Sequence, residues 1–370
     1  MIFQNREINI WVALVIITGI SFVFLGMVVV SKRRRDIREQ KAVQSRELLY
    51  SAIRSEDPSA ISEQLLSVGT GSIAQQANLI SYLSFMTAQT WWREDFNDVL
   101  RQGVEQSGLK SKILEQLSST NAVKRGTAVV LGSFPPLLME VDDIAYLLAD
   151  PEPTVRYAVV GTLEAIGNAD AAKALIFAIV QSYIPESRVV ERLNHSWAVS
   201  TLLANLSLPS TVLSERVRCA LVRALHSVYD STSVDLLLHI SLQGTDEERI
   251  QGMKTLASYI PLANKREVAR ILDRSRDAIH DPSPRVRTAA VSAIGLGGLS
   301  TDVEVISPLL SDRDWFVRRE SAQTLAALGK AGVKVLSAIA HSDDTFAADR
   351  ASEQLHLLNA SSRFTQTKGK

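Results

Sequence analysis

The chain has 370 residues, of which 46% are hydrophobic and 22% charged, and its 40 basic and 40 acidic side chains give a formal net charge of zero. This composition excludes a disordered or collagen-like chain, and with only 6% aromatic residues the aliphatic content favours helix packing. One cysteine, Cys219, excludes an internal disulfide, and six dispersed histidines leave little material for a metal site.

The first predicted element is a transmembrane helix over residues 10–30, preceded by a short extracytoplasmic N-terminus of residues 1–9. These 21 residues hold no ionisable group, and as a helix they would span about 31 Å, close to the hydrocarbon thickness of a bilayer. A cleaved signal peptide is the alternative, but its apolar stretch would be about 7 to 15 residues long and would follow basic residues. Here the basic residues come after the stretch, which favours an uncleaved anchor.

A basic segment follows the predicted span and opens a predicted juxtamembrane helix over residues 31–54. Four consecutive basic residues lead this segment: Lys32, Arg33, Arg34 and Arg35. By the positive-inside rule they stay cytoplasmic, which places the N-terminus outside the cell membrane and the rest of the chain at its inner face. The segment either sets this topology alone or also holds anionic lipid headgroups. Beyond residue 46 the chain carries a net charge of −5.

Residues 55–109 read as N-terminal capping helices for the segment that follows. Asp57 and Pro58 predict a helix start, because Asp caps free N–H groups and Pro is tolerated in the first turn. Trp91 and Trp92 are adjacent indoles that cannot both face one core from a helix. One of them is therefore a candidate partner-binding residue, and the alternative is that both pack between the capping helices.

An internal repeat occupies residues 110–358. In its three clearest copies an Asp stands five positions before a Val-Arg pair, namely Asp150 with Val155 and Arg156, Asp281 with Val286 and Arg287, and Asp312 with Val317 and Arg318. Fainter copies place the apolar marker at positions 123, 217 and 250, and a degenerate copy is expected near Trp197. The resulting period of about 31 to 36 residues accommodates two short helices and two turns.

Each copy has the features of a helix that packs against the next copy. Asp followed by Pro predicts an N-cap and a proline at the first helical position. The arginine lies at the edge of an apolar stripe, where it can reach the turn Asp of an adjacent copy. Three glycines are predicted to be C-terminal caps: Gly167, Gly295 and Gly329. Because one copy cannot bury both of its faces, neighbouring copies must stack.

This pattern resembles the HEAT-repeat family, in particular the short kind also seen in phycobilisome lyase-like proteins, here in a membrane-anchored bacterial form. The resemblance implies an all-α fold, a right-handed α-solenoid of HEAT-like helical pairs preceded by one N-terminal transmembrane helix. An armadillo array fits less well, because it needs about 40 or more residues per copy and a third helix. The polar tail at residues 359–370 is predicted to be disordered.

The sequence contains no residue set with the spacing of a catalytic or metal site. Phosphate-binding loops, dinucleotide-binding glycine patterns and a His-Glu-x-x-His motif are absent. Deoxyhypusine hydroxylase resembles this architecture and binds iron through His-Glu pairs, but none of the six histidines here precedes a Glu. We therefore predict no cofactor, no metal ligand and no small-molecule substrate, with a membrane-bound lyase or hydroxylase as the alternative.

A basic stripe is predicted on one helix, where Arg266, Arg270 and Arg274 are four residues apart. Acidic neighbours favour an ion-paired, solvated face, and a site for phosphate or an acidic partner is the alternative. Nucleic acid is not predicted as a partner, because basic domain charge and interleaved aromatic residues are both missing.

Anchor and repeats together predict a membrane-anchored scaffold or adaptor that binds a partner protein at the cytoplasmic face. We expect it to be an accessory or regulatory subunit of an envelope complex, for example a membrane glycosyltransferase or a transporter. A receptor for a peptide or a lipid headgroup, which would use the basic segment and the basic stripe, is a further hypothesis.

Overall fold

The computed structural model describes residues 32–33, 40, 43–44, 47–55, 57–69, 95–133 and 139–367. Several predictions lie outside these residues, namely the membrane span at 10–30, the basic residues Arg34 and Arg35, and the indoles Trp91 and Trp92. Within the described part of the chain no helix combines the length and the apolar character that a membrane crossing requires.

All regular elements in the described ranges are helical. In chain order the α-helices are α1 (Pro58–Gly69), α2 (Asp95–Ser107), α3 (Leu109–Leu117), α4 (Ala122–Leu131), α5 (Val141–Ile144), α6 (Pro153–Ile166), α7 (Ala169–Val180), α8 (Glu186–Leu193), α9 (Val199–Leu206), α10 (Glu215–Ala224), α11 (Ser233–Gln243), α12 (Asp246–Tyr259), α13 (Lys265–Ala278), α14 (Pro284–Gly297), α15 (Val303–Ile306), α16 (Trp315–Ala327), α17 (Lys330–Ile339) and α18 (Thr345–Thr367). Short 3₁₀ turns occur at Ala145–Ala149, Ser196–Ala198, Ser300–Asp302 and Ser307–Ser311.

The chain divides into two compact units, of which the first comprises residues 1–144 and 152–162. In this unit α1 packs against α2, and α3 packs against α4. Ile61 and Ile113 are almost fully buried in its core. Residues 47–54 are also helical, and the side chains of Leu49 and Ile53 are buried. The end of the predicted juxtamembrane segment is therefore part of an apolar core.

The second unit, residues 145–151 and 163–370, is a stack of helical pairs. We call the helix that opens a repeat, and that in most repeats carries an arginine as its fourth residue, the first helix, and the helix after it the second helix. The first helices α8, α10, α12, α14, α16 and α18 each pack against the next one. The second helices also pack on one another, α7 on α9, α11 on α13 and α15 on α17. The second helices also pack against the first helix of the next repeat, for example α11 on α12 and α13 on α14, so the apolar stripes are buried between adjacent repeats.

The structure corrects the register of the faint repeats. In six first helices the fourth residue is an arginine, and these residues are Arg125, Arg156, Arg218, Arg249, Arg287 and Arg318. The predicted markers Val123 and Ile250 do not precede this arginine, because Lys124 and Glu248 occupy the third position of their helices. In these two copies the predicted marker therefore lies one or two residues away from the arginine, and it does not occupy the position directly before it.

The degenerate repeat is also displaced from its predicted place. Its first helix is α8, which packs against α10. Trp197 instead lies in the 3₁₀ turn that leads into the second helix α9. The fourth residue of α8 is Val189, and the absence of arginine at that position explains why this repeat was hard to recognise.

Helix starts differ from the prediction by two residues. The N-cap of α14 is Ser283 and its first residue is Pro284, so that Asp281 and Pro282 precede the cap. Asp281 instead accepts a hydrogen bond from the backbone N–H of Ser283 at 2.9 Å. This aspartate holds the turn before the helix, which leaves carboxylate lone pairs free for a neighbouring repeat.

The three predicted glycine caps have different roles. Gly167 and Gly329 adopt φ values of +61° and +80° at helix ends, which glycine reaches at little steric cost. Gly295 lies inside α14 and is not a cap. A Cβ atom there would lie 2.9 Å from Oγ1 of Thr324 in α16, so this position requires glycine for close helix packing.

The last helix is longer than expected. Residues 359–370 were predicted to be disordered, but α18 runs from Thr345 to Thr367. A helix that has already formed extends at low cost through a polar sequence without proline or glycine, which describes residues 359–367.

Candidate functional site

A series of ion pairs links the first helices of consecutive repeats in the second unit. We call this series the arginine ladder, and its members are Arg218 with Glu248, Arg249 with Asp281 and Arg287 with Asp312. Each arginine also donates from Nη1 to backbone carbonyls that precede its own helix. Each guanidinium therefore binds both the segment before its own helix and a carboxylate of the next repeat.

The ladder pairs are shielded from solvent. The side chains of Arg287 and Asp312 are only 7% and 10% exposed. Burial alone would raise the pKa of Asp312, but hydrogen bonds from Arg287 and from the N–H of Asp314 outweigh it and hold the pKa below its ordinary value. The pKa of Asp281 is lowered in the same way by Arg249 and the N–H of Ser283. These carboxylates are consequently charged at neutral pH.

The ladder ends at Arg318. Its Nη1 donates to the carbonyl of Asp312 at 2.7 Å, but its buried Nε has no hydrogen-bond partner among the described residues. At the start of α18 the residue Asp344 accepts from the N–H of Ala347 and acts as the cap, and Ser342 stands two residues before it. Ser342 thus occupies the place that Asp312 and Asp281 occupy in the preceding repeats. A hydroxyl stands where the ladder would require a carboxylate.

Threonine hydroxyls provide a second contact between repeats. The tenth residue of α12, Thr255, donates to the carbonyl of Val222 in α10 at 3.3 Å. Thr324 occupies the same position in α16 and donates to the carbonyl of Val291 in α14 at 3.1 Å. Within the first unit Thr162 makes the equivalent bond to Val129 at 3.0 Å. Sequence reasoning missed these threonines, although their constant position in the first helices could have identified them.

A groove with a volume of about 670 Å³ opens across the first helices α12, α14 and α16. We call it the first-helix groove. Small residues of α14 form its floor, namely Thr288, Ala289 and Ser292. Lys254 of α12 lies on one wall, and Glu320 of α16 lies on the other. None of its lining residues belongs to a second helix.

One residue in the floor of the groove is shorter than its equivalents in three other first helices. The ninth residue of the first helix is Arg223 in α10, Lys254 in α12 and Gln323 in α16. In α14 the ninth residue is Ser292. The floor of the groove therefore carries a hydroxymethyl group where three other first helices carry a long side chain.

The walls of the groove combine apolar and charged side chains. Leu296 and Phe316, which line the groove together, are 57% and 63% exposed. Lys254 and Glu320 form no ion pair among the described residues. Arg285 pairs with Glu247 at 2.8 Å beside the N-terminal end of α14. The groove thus presents apolar surface between Glu320 and Lys254, of which Lys254 interacts electrostatically with Glu247 of its own helix without forming an ion pair.

The predicted basic stripe on α13 is divided by its contacts. Arg270 forms an ion pair with Asp235 of α11, and Arg274 donates from Nε to Oγ of Ser241 at 3.1 Å. Burial lowers the pKa of Arg274. The side chain of Arg266, at the start of α13, is exposed. Two members of the stripe therefore hold α13 on α11, and they do not form a continuous basic surface.

Other predicted residues lie apart from the groove. Lys32 and Arg33 are helical and exposed, whereas Asp150 and Val155 are buried. Burial raises the pKa of Cys219 to about 12, so its thiol stays protonated at neutral pH. In the described ranges no three His, Cys, Asp or Glu side chains are grouped closely enough to hold a metal ion.

Comparison with known proteins identifies the repeats. Residues 272–355 match the family model described as HEAT repeats, which confirms the predicted repeat type in that part of the chain. No curated protein matched the sequence. The bacterial, membrane-anchored type stays a prediction, as does the right hand of the solenoid.

Several solved structures align with most of this chain at low sequence identity. One is an engineered protein with 15% identity and a TM-score of 0.35, where the alignment covers 85% of this chain and 98% of the other. Kap121p has 13% identity and a TM-score of 0.38, with 80% of this chain and 43% of Kap121p covered. A Kap121p mutant reaches a TM-score of 0.47 at 13% identity, with coverages of 80% and 38%. This chain therefore spans less than half the length of Kap121p, and the likeness says nothing about what it binds.

Proposed function

We propose that this chain is a membrane-anchored HEAT-repeat scaffold that binds a partner protein in its first-helix groove. The observation that carries the proposal is the exposure of Phe316 and Leu296 beside a floor of small residues. Large apolar side chains that line an open concave surface are typical of protein-binding sites. The match to HEAT repeats indicates no catalytic family.

The arginine ladder supports this role because it fixes the helices that form the groove. Arg249 joins α12 to the turn before α14, and Arg287 joins α14 to the turn before α16. Both pairs are bidentate and largely buried. A partner would therefore bind a preformed surface, with little loss of conformational entropy in the scaffold.

The membrane part of the proposal is supported by the uncharged stretch at residues 10–30 and the basic residues that follow it. On this proposal the chain spans the cell membrane once, and its repeats lie on the cytoplasmic side. There it would act as an accessory or regulatory subunit of an envelope complex such as a membrane glycosyltransferase or a transporter. Membrane fractionation tests the anchor, because a chain that lacks residues 10–30 should move from the alkali-resistant membrane fraction to the supernatant.

Affinity purification from gently solubilised membranes tests the scaffold role. We expect a stoichiometric partner to co-purify with the full chain and to remain bound through size-exclusion chromatography. A chain that elutes alone at several detergent and salt concentrations would contradict the proposal.

A further inference from the structure

We propose that the first-helix groove recognises an amphipathic segment that carries one bulky apolar residue flanked by an acidic residue on one side and a basic residue on the other. The inference rests on the proposed function and specifies the chemistry of the partner. Three properties of the groove carry it: the shape of its floor, the state of its polar groups and the charges of its walls.

The shape fits a segment of polypeptide. The residues of α14 that line the groove extend from Pro284 to Leu296, a distance of about 18 Å at the helical rise of 1.5 Å per residue. This length equals about three turns of a bound helix or about five extended residues. At its centre Ala289 and Ser292 leave room for a large side chain, and Phe316 offers a ring for it to contact.

Of the two hydroxyl groups in the floor only that of Ser292 is without a hydrogen-bond partner among the described residues, which disfavours a small polar ligand. The hydroxyl of Thr288 donates to the carbonyl of Pro284 at 2.9 Å within α14. Sites for small polar molecules instead present several converging donors and acceptors. The binding energy in this groove must therefore come mainly from apolar contact, and charge lies only at the walls.

The charged side chains of the two walls have opposite signs. On the α12 side Lys254 is exposed and His226 lies nearby, and neither side chain has an ion-pair partner among the described residues. On the α16 side are Glu320 and Asp314, but Asp314 already accepts the N–H of Phe316 at 2.9 Å as a helix cap. Lys254 and Glu320 are thus the wall charges outside any ion pair, whereas Arg285 of α14, which also lines the groove, is paired with Glu247. Complementary charges would orient a bound segment and exclude segments with like charges on the wrong side.

A peptide library tests the proposal. The full 370-residue chain is immobilised and panned with displayed random peptides of about twelve residues, which is roughly the three helical turns that the floor accommodates, and enriched peptides are then titrated by fluorescence anisotropy. We expect a consensus of a large apolar residue flanked by one acidic and one basic residue. S292K places the side chain found at the same position of α12 into the groove, and it should raise Kd about tenfold or more.

Matched variants separate loss of the site from loss of the fold. S337K adds the same side chain at an exposed serine of α17 outside the groove and should leave Kd unchanged. If S292K unfolds, T288R is the second blocking variant, because Arg319 is tolerated at the equivalent fifth position of α16. Peptides whose affinity is the same for wild type and both blocking variants would overturn the groove as the site. That result would not contradict the scaffold role itself, which is tested separately by co-purification.

Charge variants test the flanking residues. E320K makes both walls basic, so panning should then enrich peptides with acidic residues on both flanks. K254E makes both walls acidic and should enrich peptides with two basic flanks. Two results together would overturn the proposed partner chemistry. Peptides of the wild-type consensus would lose binding to S292K, and panning against E320K and K254E would enrich that same consensus.

Discussion

Arg287 and Asp312 are joined by two parallel hydrogen bonds across consecutive repeats, from Nε to Oδ2 at 2.9 Å and from Nη2 to Oδ1 at 2.7 Å. Arg249 and Asp281 have the same arrangement one repeat earlier. Bidentate pairs of this kind fix orientation as well as distance. The helices that line the first-helix groove are therefore placed by the repeat signature itself, and structure and proposed function depend on the same residues.

Removing one partner of a buried ladder pair should be costly. R287A would leave the carboxylate of Asp312 buried without its cation, and we expect the free energy of unfolding to fall by about 3 to 5 kcal/mol. R285A removes the ion pair between Arg285 and Glu247, whose side chains are 62% and 36% exposed, respectively. This change should lower the free energy of unfolding by less than about 1 kcal/mol. Urea denaturation of both variants measures the difference. Equal losses would show that the ladder does not stabilise the stack.

Acid should weaken the stack through the same carboxylates. The folded pKa of Asp281, Asp302 and Asp312 lies below its ordinary value, because arginine and backbone hydrogen bonds outweigh the effect of burial. Their contribution to stability is complete above the unfolded pKa of about 3.9 and is lost as the pH falls through the lower folded values. We expect Tm to decline below about pH 4. D312N should have a lower Tm at pH 7 than the wild type. Its Tm should also decline less steeply in acid, because one of the titrating carboxylates is absent.

Two glycine substitutions should change stability in opposite directions. In G295A the new Cβ would lie 2.9 Å from Oγ1 of Thr324, which must rotate away and lose its bond to the carbonyl of Val291. We expect a loss of about 1 to 3 kcal/mol, relieved in part by T324A. Gly161 lies in α6, and no described atom comes within 4 Å of the position that a Cβ would take there, so G161A should stabilise by about 0.5 to 1 kcal/mol. Thermal unfolding distinguishes the two outcomes.

Ser342 offers a way to extend the arginine ladder. The backbone N–H groups of Asp281, Asp312 and Ser342 all donate to the carbonyl three residues earlier, so the three turns are equivalent. S342D would place a carboxylate near the Nε of Arg318, which lacks a partner among the described residues, and we expect stability to rise by about 1 kcal/mol. S337D on α17 is the control and should not stabilise. A decrease in Tm for S342D would mean that the turn before α18 differs from the earlier ones.

The repeat and its helices could be predicted from sequence because Val-Arg pairs and turn aspartates recur at nearly constant spacing. The predicted register was wrong where a polar residue replaces the valine. Glu248, for example, caps α12 through its bond to the N–H of Thr245 and also receives Arg218 of the previous repeat. Residue type alone does not reveal this double role, because it depends on the contact between two helices.

The groove could not be predicted from any single motif. Its floor includes Ser292, which is shorter than the equivalent residues Arg223, Lys254 and Gln323, and this comparison needs the corrected register of four helices. The stripe of Arg266, Arg270 and Arg274 is visible in the sequence, but two of its members are used for packing on α11. Periodicity identifies a helical face, whereas its availability to a partner depends on what neighbouring repeats contribute.

Co-purification with blocked and unblocked grooves tests the central claim most directly. Wild type, S292K and S337K are expressed at equal levels as full chains, solubilised gently and captured by the same affinity tag, and the partner is quantified by mass spectrometry. We expect S337K to retain the partner at the wild-type ratio and S292K to lose at least about half of it, which is the loss that a tenfold weaker complex gives when the wild type is about 90% occupied. Equal recovery of the partner with all three chains would contradict the claim that the first-helix groove is the binding site.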